Sequence, residues 1–124
     1  MTALLSATAC SADALQSCVA EKLEPGLSVI GLMRSEKLDM TKARLVTQLF
    51  EGDDAKLAKL KPMFALTDWT FASDGPGRMI LSAHRVVDES WVKDSTNRMC
   101  AAAAAAEVVW DGWDVDVAAD GGQK

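Results

Sequence analysis

The sequence contains a single histidine, three cysteines and no excess of basic side chains. The histidine, His84, lies between Ala83 and Arg85 in a β-prone run, and no serine or cysteine nearby forms a nucleophile motif with it. We therefore predict a structural or exposed histidine and no catalytic residues. Eighteen acidic against thirteen basic residues give a net charge of −5. This balance disfavours direct nucleic-acid binding, because phosphates are neutralised by basic surfaces.

The cysteines, Cys10, Cys18 and Cys100, are odd in number and show no C-x-x-C spacing. This pattern predicts neither a disulfide framework nor a zinc site, and we expect reduced thiols in a cytoplasmic protein. Residues 1–20 lack the basic segment of a signal peptide. No stretch reaches the ~18 apolar residues that a membrane span requires, so no membrane association is predicted.

The chain of 124 residues, 49% of them hydrophobic, suits one compact domain. At its start, apolar residues at helical spacing predict a helix over 11–23 that ends at Pro25 and Gly26, and a second helix over 27–37. We interpret residues 1–40 as an N-terminal helical arm.

The main domain is predicted over residues 41–118, followed by a short flexible tail over 119–124. Its elements are a strand over 44–50, a helix from Asp53 or Asp54 towards Phe64, strands over 69–72 and 78–87, a helix over 91–107 and a strand from Trp113. Pro62 should kink the first of these helices or end it early. This order, βαββαβ, predicts an α+β, ferredoxin-like antiparallel sheet with two helices on one face. The other face is left for solvent, the arm or a partner.

The last strand has the clearest pattern in the chain. Apolar Trp113, Val115 and Val117 alternate with Asp114 and Asp116, which is typical of a strand with one buried and one wet face. Just before it, an aspartate and a glycine interrupt the apolar run, and glycine accepts the positive φ of a bulge or a tight corner.

The side chains of this corner allow a functional and a structural interpretation. Tryptophan is enriched at protein-binding hot spots, but Trp113 continues the predicted buried row, and Trp110 suits either the core or a half-exposed anchor. Asp111 suits a backbone hydrogen bond at the corner. Asp111, Asp114 and Asp116 lack the glycine and the distal glutamate of a calcium loop, so we predict neither a metal nor a cofactor.

The run Glu107–Trp113, which reads EVVWDGW, resembles the C-terminal signature of the RraB family, bacterial protein inhibitors of ribonuclease E whose motif reads roughly Tyr-Asp-Gly-Trp. Trp110 stands at the tyrosine position. Upstream, Leu38–Phe50 is similar to the opening of the family, a polar lead-in to an Arg-x-Val strand. The resemblance covers about residues 38–118, and the acidic tail of the founding inhibitor is reduced here to Asp120–Lys124.

The resemblance implies a non-enzymatic regulator that binds a protein partner, ribonuclease E in this family, through an acidic and aromatic surface. The predicted partner-binding residues are Trp110, Asp111, Gly112, Trp113, Asp114 and Asp116. Two alternatives stay open. One is a small ferredoxin-like ligand-binding or enzymatic domain with a pocket between the arm and the sheet, and the other is an oligomerising module that forms a homo-oligomer.

Overall fold

The structure is a computed structural model that describes residues 2–117, with side chains from residue 13 onward. Its elements are α1 (Thr2–Ser35), β1 (Ala43–Glu51), α2 (Asp54–Leu57), α3 (Leu60–Met63), β2 (Thr70–Ser73), β3 (Arg78–Val86), α4 (Glu89–Ala106) and β4 (Val109–Val115). The strands form one four-stranded antiparallel sheet, so the predicted α+β class is confirmed. The predicted tail over 119–124 lies outside the described residues.

The sheet has the strand order β2-β3-β1-β4, which places β3 and β1 at its centre. Along β1, every second side chain from Arg44 to Phe50 is buried, and those between are more exposed, because successive strand residues point to opposite faces. One face is packed against helices. The other, which we call the open face, carries Leu45, Thr47 and Leu49.

The predicted strands of the main domain are present in the structure. Those expected over 44–50, 69–72 and 78–87 agree with β1, β2 and β3 to within two residues at each end. The last strand begins at Val109, four residues earlier than the predicted start at Trp113. Its pairing with β1 runs through the corner and does not start after it.

Helix α4 lies on the packed face and brings its alanine run against the sheet. The Asp88 side chain caps it by accepting a hydrogen bond from the Trp91 backbone N–H over 2.8 Å. Ala102, Ala103 and Ala106 are buried in the main core cluster. A methyl side chain lets the helix backbone approach the strands closely, and alanine is also the best helix former.

Helix α1 is continuous, so the predicted break at Pro25 and Gly26 is wrong. A proline in a helix interior costs about 3 kcal/mol, and packing on both sides of it offsets that cost. Leu15 packs against one core cluster, and Ile30 and Met33 belong to the other. The predicted arm therefore lies beside α4 on the packed side of the sheet and leaves the open face uncovered.

The predicted helix from Asp53 or Asp54 to Phe64 is replaced by two four-residue helices, α2 and α3. Asp53 caps α2 by accepting a hydrogen bond from the Ala55 N–H over 2.9 Å. Pro62 lies inside α3, and the chain leaves the helix two residues later. The packed face is consequently covered less completely over β2 and β3 than over β1.

Cys18 of α1 and Cys100 of α4 form a disulfide, so the prediction of reduced thiols is wrong for these two cysteines. Their sequence separation is 82 residues, too far for any local spacing motif to show. The bond joins the predicted arm to the main domain across the α1–α4 contact. Cys10 lies where only the backbone is described.

Candidate functional site

The corner predicted to bind a partner contains a β-bulge in β4. Two adjacent residues of β1 pair with Gly112 and Trp110, which leaves Asp111 as an extra residue in the register. Gly112 has a φ of 121°, in the region that favours glycine. Because a bulge shifts the alternation of faces by one position, Trp110 and Trp113 both lie on the packed side although they are three residues apart.

Trp110 is a core residue. Its side chain is 2% exposed, and its indole Nε1–H donates to Oε1 of Gln48 over 2.8 Å. Gln48 in turn donates from Nε2 to Oγ of Ser95 over 3.3 Å. Of the two interpretations of Trp110, the half-exposed anchor is therefore wrong, and direct contact of its ring with a partner would require β4 to move.

Trp113 is partly buried and belongs to the interface between the strand and both long helices. Its ring packs edge-on against Trp91 of α4, with centroids 5.0 Å apart and an interplanar angle of 82°. A Cβ added at Gly26 of α1 would lie 3.3 Å from its Nε1. The expected buried row is confirmed for Trp113 and Val115, since Val115 also packs against the core, but it is wrong for Val117, which lies beyond the end of β4 and is 39% exposed.

The acidic residues of the corner lie at the surface. Asp111, Asp114 and Asp116 are all exposed, and Asp114 pairs in register with Thr47 on the open face. The Asp116 backbone N–H donates to Leu45 O over 2.9 Å and continues the ladder beyond the strand. These carboxylates form a row along the β4 side of the open face: the alternation in the sequence predicts it for Asp114 and Asp116, and the bulge adds Asp111.

Beside these carboxylates the open face has a shallow depression of about 280 Å³. Leu49 of β1 and Ile80 of β3 form part of its lining, and Arg78 stands at its other end. Arg78 is paired with Asp74 at 3.2 Å and with Glu51 at 2.9 Å. The depression therefore joins apolar side chains at its centre to an acidic edge on β4.

Within residues 2–117, no group of three or more histidine, cysteine, aspartate or glutamate side chains is placed to hold a metal ion. His84 is exposed on the open face, opposite Leu45 in the β1–β3 register. The sequence left two alternatives for His84, a structural or an exposed histidine, and the structure shows the exposed one.

A cavity of about 300 Å³ lies between α1 and β4, where one of the sequence alternatives predicted a pocket. Its polar side chains include Glu21 and Lys22, and Lys22 donates from Nζ to Asp111 O over 3.2 Å. The remaining lining is largely glycine, proline and tryptophan. Two acidic residues, Glu21 and Asp111, line it, and none of the described lining residues is a histidine or a serine.

A larger cleft, of about 440 Å³, opens where α2 and α3 fail to cover the sheet. It is lined by Met63, Phe64, Thr67, Trp69, Arg85, Trp91, Asp94, Ser95, Arg98, Met99, Ala101 and Ala102. Sequence reasoning did not predict this site. The available signal was the stripe Trp91, Ser95, Arg98 and Ala102, whose spacing of three or four residues places it on one helix face.

Two arginines line the cleft, and each is paired with an aspartate. The guanidinium carbon of Arg85 lies 4.7 Å from the centroid of the Trp69 ring, a cation–π contact. Arg85 also donates to both carboxylate oxygens of Asp68, at 2.8 and 3.1 Å, and these hydrogen bonds lower the pKa of Asp68. Arg98 donates from Nε to Asp94 over 2.8 Å in a pair that is largely exposed.

Another ion pair joins the ends of the long helices. Arg34 in the last turn of α1 binds Glu89 in the first turn of α4 through two hydrogen bonds. The helix dipoles also favour this arrangement, because a positive charge is stabilised at the C-terminal end of a helix and a negative charge at the N-terminal end. The hydrogen bonds from Arg34 lower the pKa of Glu89 from 4.5 to about 2.

None of the helices in the described part of the chain combines the length and the apolar composition needed to cross a bilayer. Comparison of the chain with protein-family models gives no match, and comparison with curated proteins gives none either.

Proposed function

We propose that the chain is a non-enzymatic, protein-binding regulator of the RraB type, and that its partner surface is the β4 side of the open face. The observation that carries the proposal is the row of three exposed carboxylates, Asp111, Asp114 and Asp116, beside a depression that contains Leu49 and Ile80. Such a surface offers apolar contact and charge selection to a partner.

The proposal includes a ferredoxin-like arrangement of the main domain. The order β2-β3-β1-β4 with antiparallel neighbours supports it, because a split βαβ unit places the third strand between the first two. In this interpretation α2 and α3 together occupy the position of the first helix of the βαββαβ order, and α4 is its second helix. Helix α1 is an addition that packs beside α4.

The partner segment that suits this surface is basic with apolar side chains. The chain carries a net charge of −5, and the carboxylates of β4 concentrate negative charge along one edge of the open face. Opposite charge on the partner would speed and orient the encounter, and this contribution weakens with salt because of screening. Burial of Leu49 and Ile80 would supply affinity that salt does not screen.

Ribonuclease E is the partner that the sequence resemblance proposes, and such a partner would place the protein in the cytoplasm. Disulfides are rare there because thiols are kept reduced. The Cys18–Cys100 bond lies on the packed side of the sheet, away from the proposed surface. We therefore expect the reduced and the oxidised protein to bind the partner alike.

The test is the affinity of the full chain for the ribonuclease E of its source organism, measured for both redox forms at low and at physiological salt. The triple variant D111N/D114N/D116N should bind more weakly and with less dependence on salt. The matched control D13N/E24Q/E36Q changes the charge by the same amount at exposed positions outside the proposed surface and should bind like the wild type. If the two triple variants bind with equal affinity, the β4 surface is not part of the interface.

A further inference from the structure

We infer that the cleft between α4 and the Phe64–Trp69 loop is a binding site for small aromatic carboxylates. It lies on the packed side of the sheet, and so does not rest on the proposed partner surface. Its volume of about 440 Å³ falls within the ~300–1,000 Å³ typical of small-molecule sites.

The cleft exists because the sequence ends α3 early. Pro62 and the short α2 and α3 leave the β2–β3 side of the sheet without a full helix above it. Trp69, Phe64 and Met99 then line a space that a longer helix would fill. An aromatic ring fits such a lining, because tryptophan and phenylalanine rings contact it edge-on or offset and methionine adapts its shape to it.

One buried residue of the cleft lining carries a hydroxyl group. Ser95 is 5% exposed and lines the cleft. Its Oγ accepts from Gln48, so its O–H group remains to donate to a ligand. An oxygen acceptor in the cleft would satisfy this donor, as a carboxylate does.

The guanidinium groups explain why the acceptor should carry a negative charge. Arg98 commits only Nε to Asp94, and an exposed pair of this kind contributes little to stability. Its terminal nitrogens can therefore form a forked contact with a carboxylate. Arg85 is held in place by Asp68 and by the Trp69 ring. The carboxylate of Asp94 on the same lining limits the site to one added negative charge.

The experiment follows the indole N–H signals of Trp69 and Trp91 by NMR in the full chain during titration with 3-phenylpropanoate. The neutral amide, 3-phenylpropanamide, has the same shape without the charge, and butanoate has the charge without the ring. We expect saturable shifts at both tryptophans with the phenylpropanoate. We expect affinities about tenfold weaker for the amide, because a charge-assisted hydrogen bond is lost, and weaker binding of butanoate because the ring is missing.

One variant and its control test whether Arg98 binds the carboxylate of the ligand. Arg98→Gln should weaken 3-phenylpropanoate binding about tenfold. The control is Arg78→Gln, since Arg78 is also exposed and paired with the aspartate four residues before it, but lies on the open face. It should leave the affinity unchanged. The proposal is overturned if neither tryptophan shows a saturable shift up to about 10 mM ligand, if the amide binds as tightly as the acid, or if Arg98→Gln binds like the wild type.

Discussion

The indole Nε1–H of Trp110 donates to the side-chain Oε1 of Gln48 over 2.8 Å, and both side chains are excluded from solvent, at 2% and 0% exposure. Because Gln48 also donates to Ser95, a chain of polar contacts links β4, β1 and α4 through the core. Buried polar groups are costly unless they are paired. This network therefore fixes the register of β4 on β1 at the bulge.

Replacing Trp110 with phenylalanine removes the donor and leaves Oε1 of Gln48 buried without its partner. We expect the free energy of unfolding to fall by about 1–3 kcal/mol from the lost hydrogen bond alone, with a further loss from the smaller ring. Urea denaturation followed by circular dichroism measures this difference. An unchanged midpoint would mean that the indole does not hold the strand.

Two glycines of α1 provide a matched pair for the packing of that helix. A Cβ added at Gly26 would lie 2.9 Å from Cγ1 of Val92, whereas one added at Gly31 would meet nothing within 4 Å. Gly26→Ala should lower the free energy of unfolding by about 1–3 kcal/mol through overpacking. Gly31→Ala should raise it by about 0.5–1 kcal/mol because alanine favours the helix. The same sign for both changes would contradict the close approach of α1 to α4.

The Cys18–Cys100 bond closes a loop with a sequence separation of 82 residues. In the chain-entropy model, a loop of that length stabilises the folded state by roughly 4.5 kcal/mol. The double variant C18S/C100A should therefore lose stability on this scale and become insensitive to reductant. Thermal melts with and without dithiothreitol measure both effects, and a wild-type melting temperature that does not respond to reductant would exclude the bond.

The Arg34–Glu89 pair makes stability depend on pH in the acid range. Because the folded-state pKa of Glu89, about 2, lies below its ordinary value of 4.5, the pair stabilises the fold above pH 4.5. Its contribution is lost as the pH falls towards 2. The wild type should melt at a higher temperature than Glu89→Gln above pH 4.5, and the two should converge near pH 2. A difference that persists at the acid end would show that charge on Glu89 is not its cause.

The sequence predicted best where a local pattern and the tertiary packing agree. The alternation that begins at Trp113 predicted the partly buried Trp113 and Val115 and the exposed Asp114 and Asp116 of the last strand as they occur. The bulge was expected from Asp111 and Gly112. The sequence left the burial of Trp110 open. The face on which its side chain lies depends on which residue of β4 has no partner in the pairing with β1, and the sequence does not show this.

The errors arose where distant contacts decide the outcome. Pro25 and Gly26 are strong local helix breakers, but contacts of α1 with both core clusters keep the helix continuous. The disulfide joins residues that no spacing rule connects. The cleft depends on the meeting of the Trp69 loop with one face of α4, so neither segment alone predicted it.

The most direct test of the proposed function is the cleavage rate of a defined RNA by the full-length ribonuclease E of the source organism, with increasing amounts of this protein. The proposal predicts slowing that saturates with concentration, and weaker slowing by D111N/D114N/D116N than by the wild type. A cleavage rate that stays constant across the titration, with no binding between the two proteins, would contradict it.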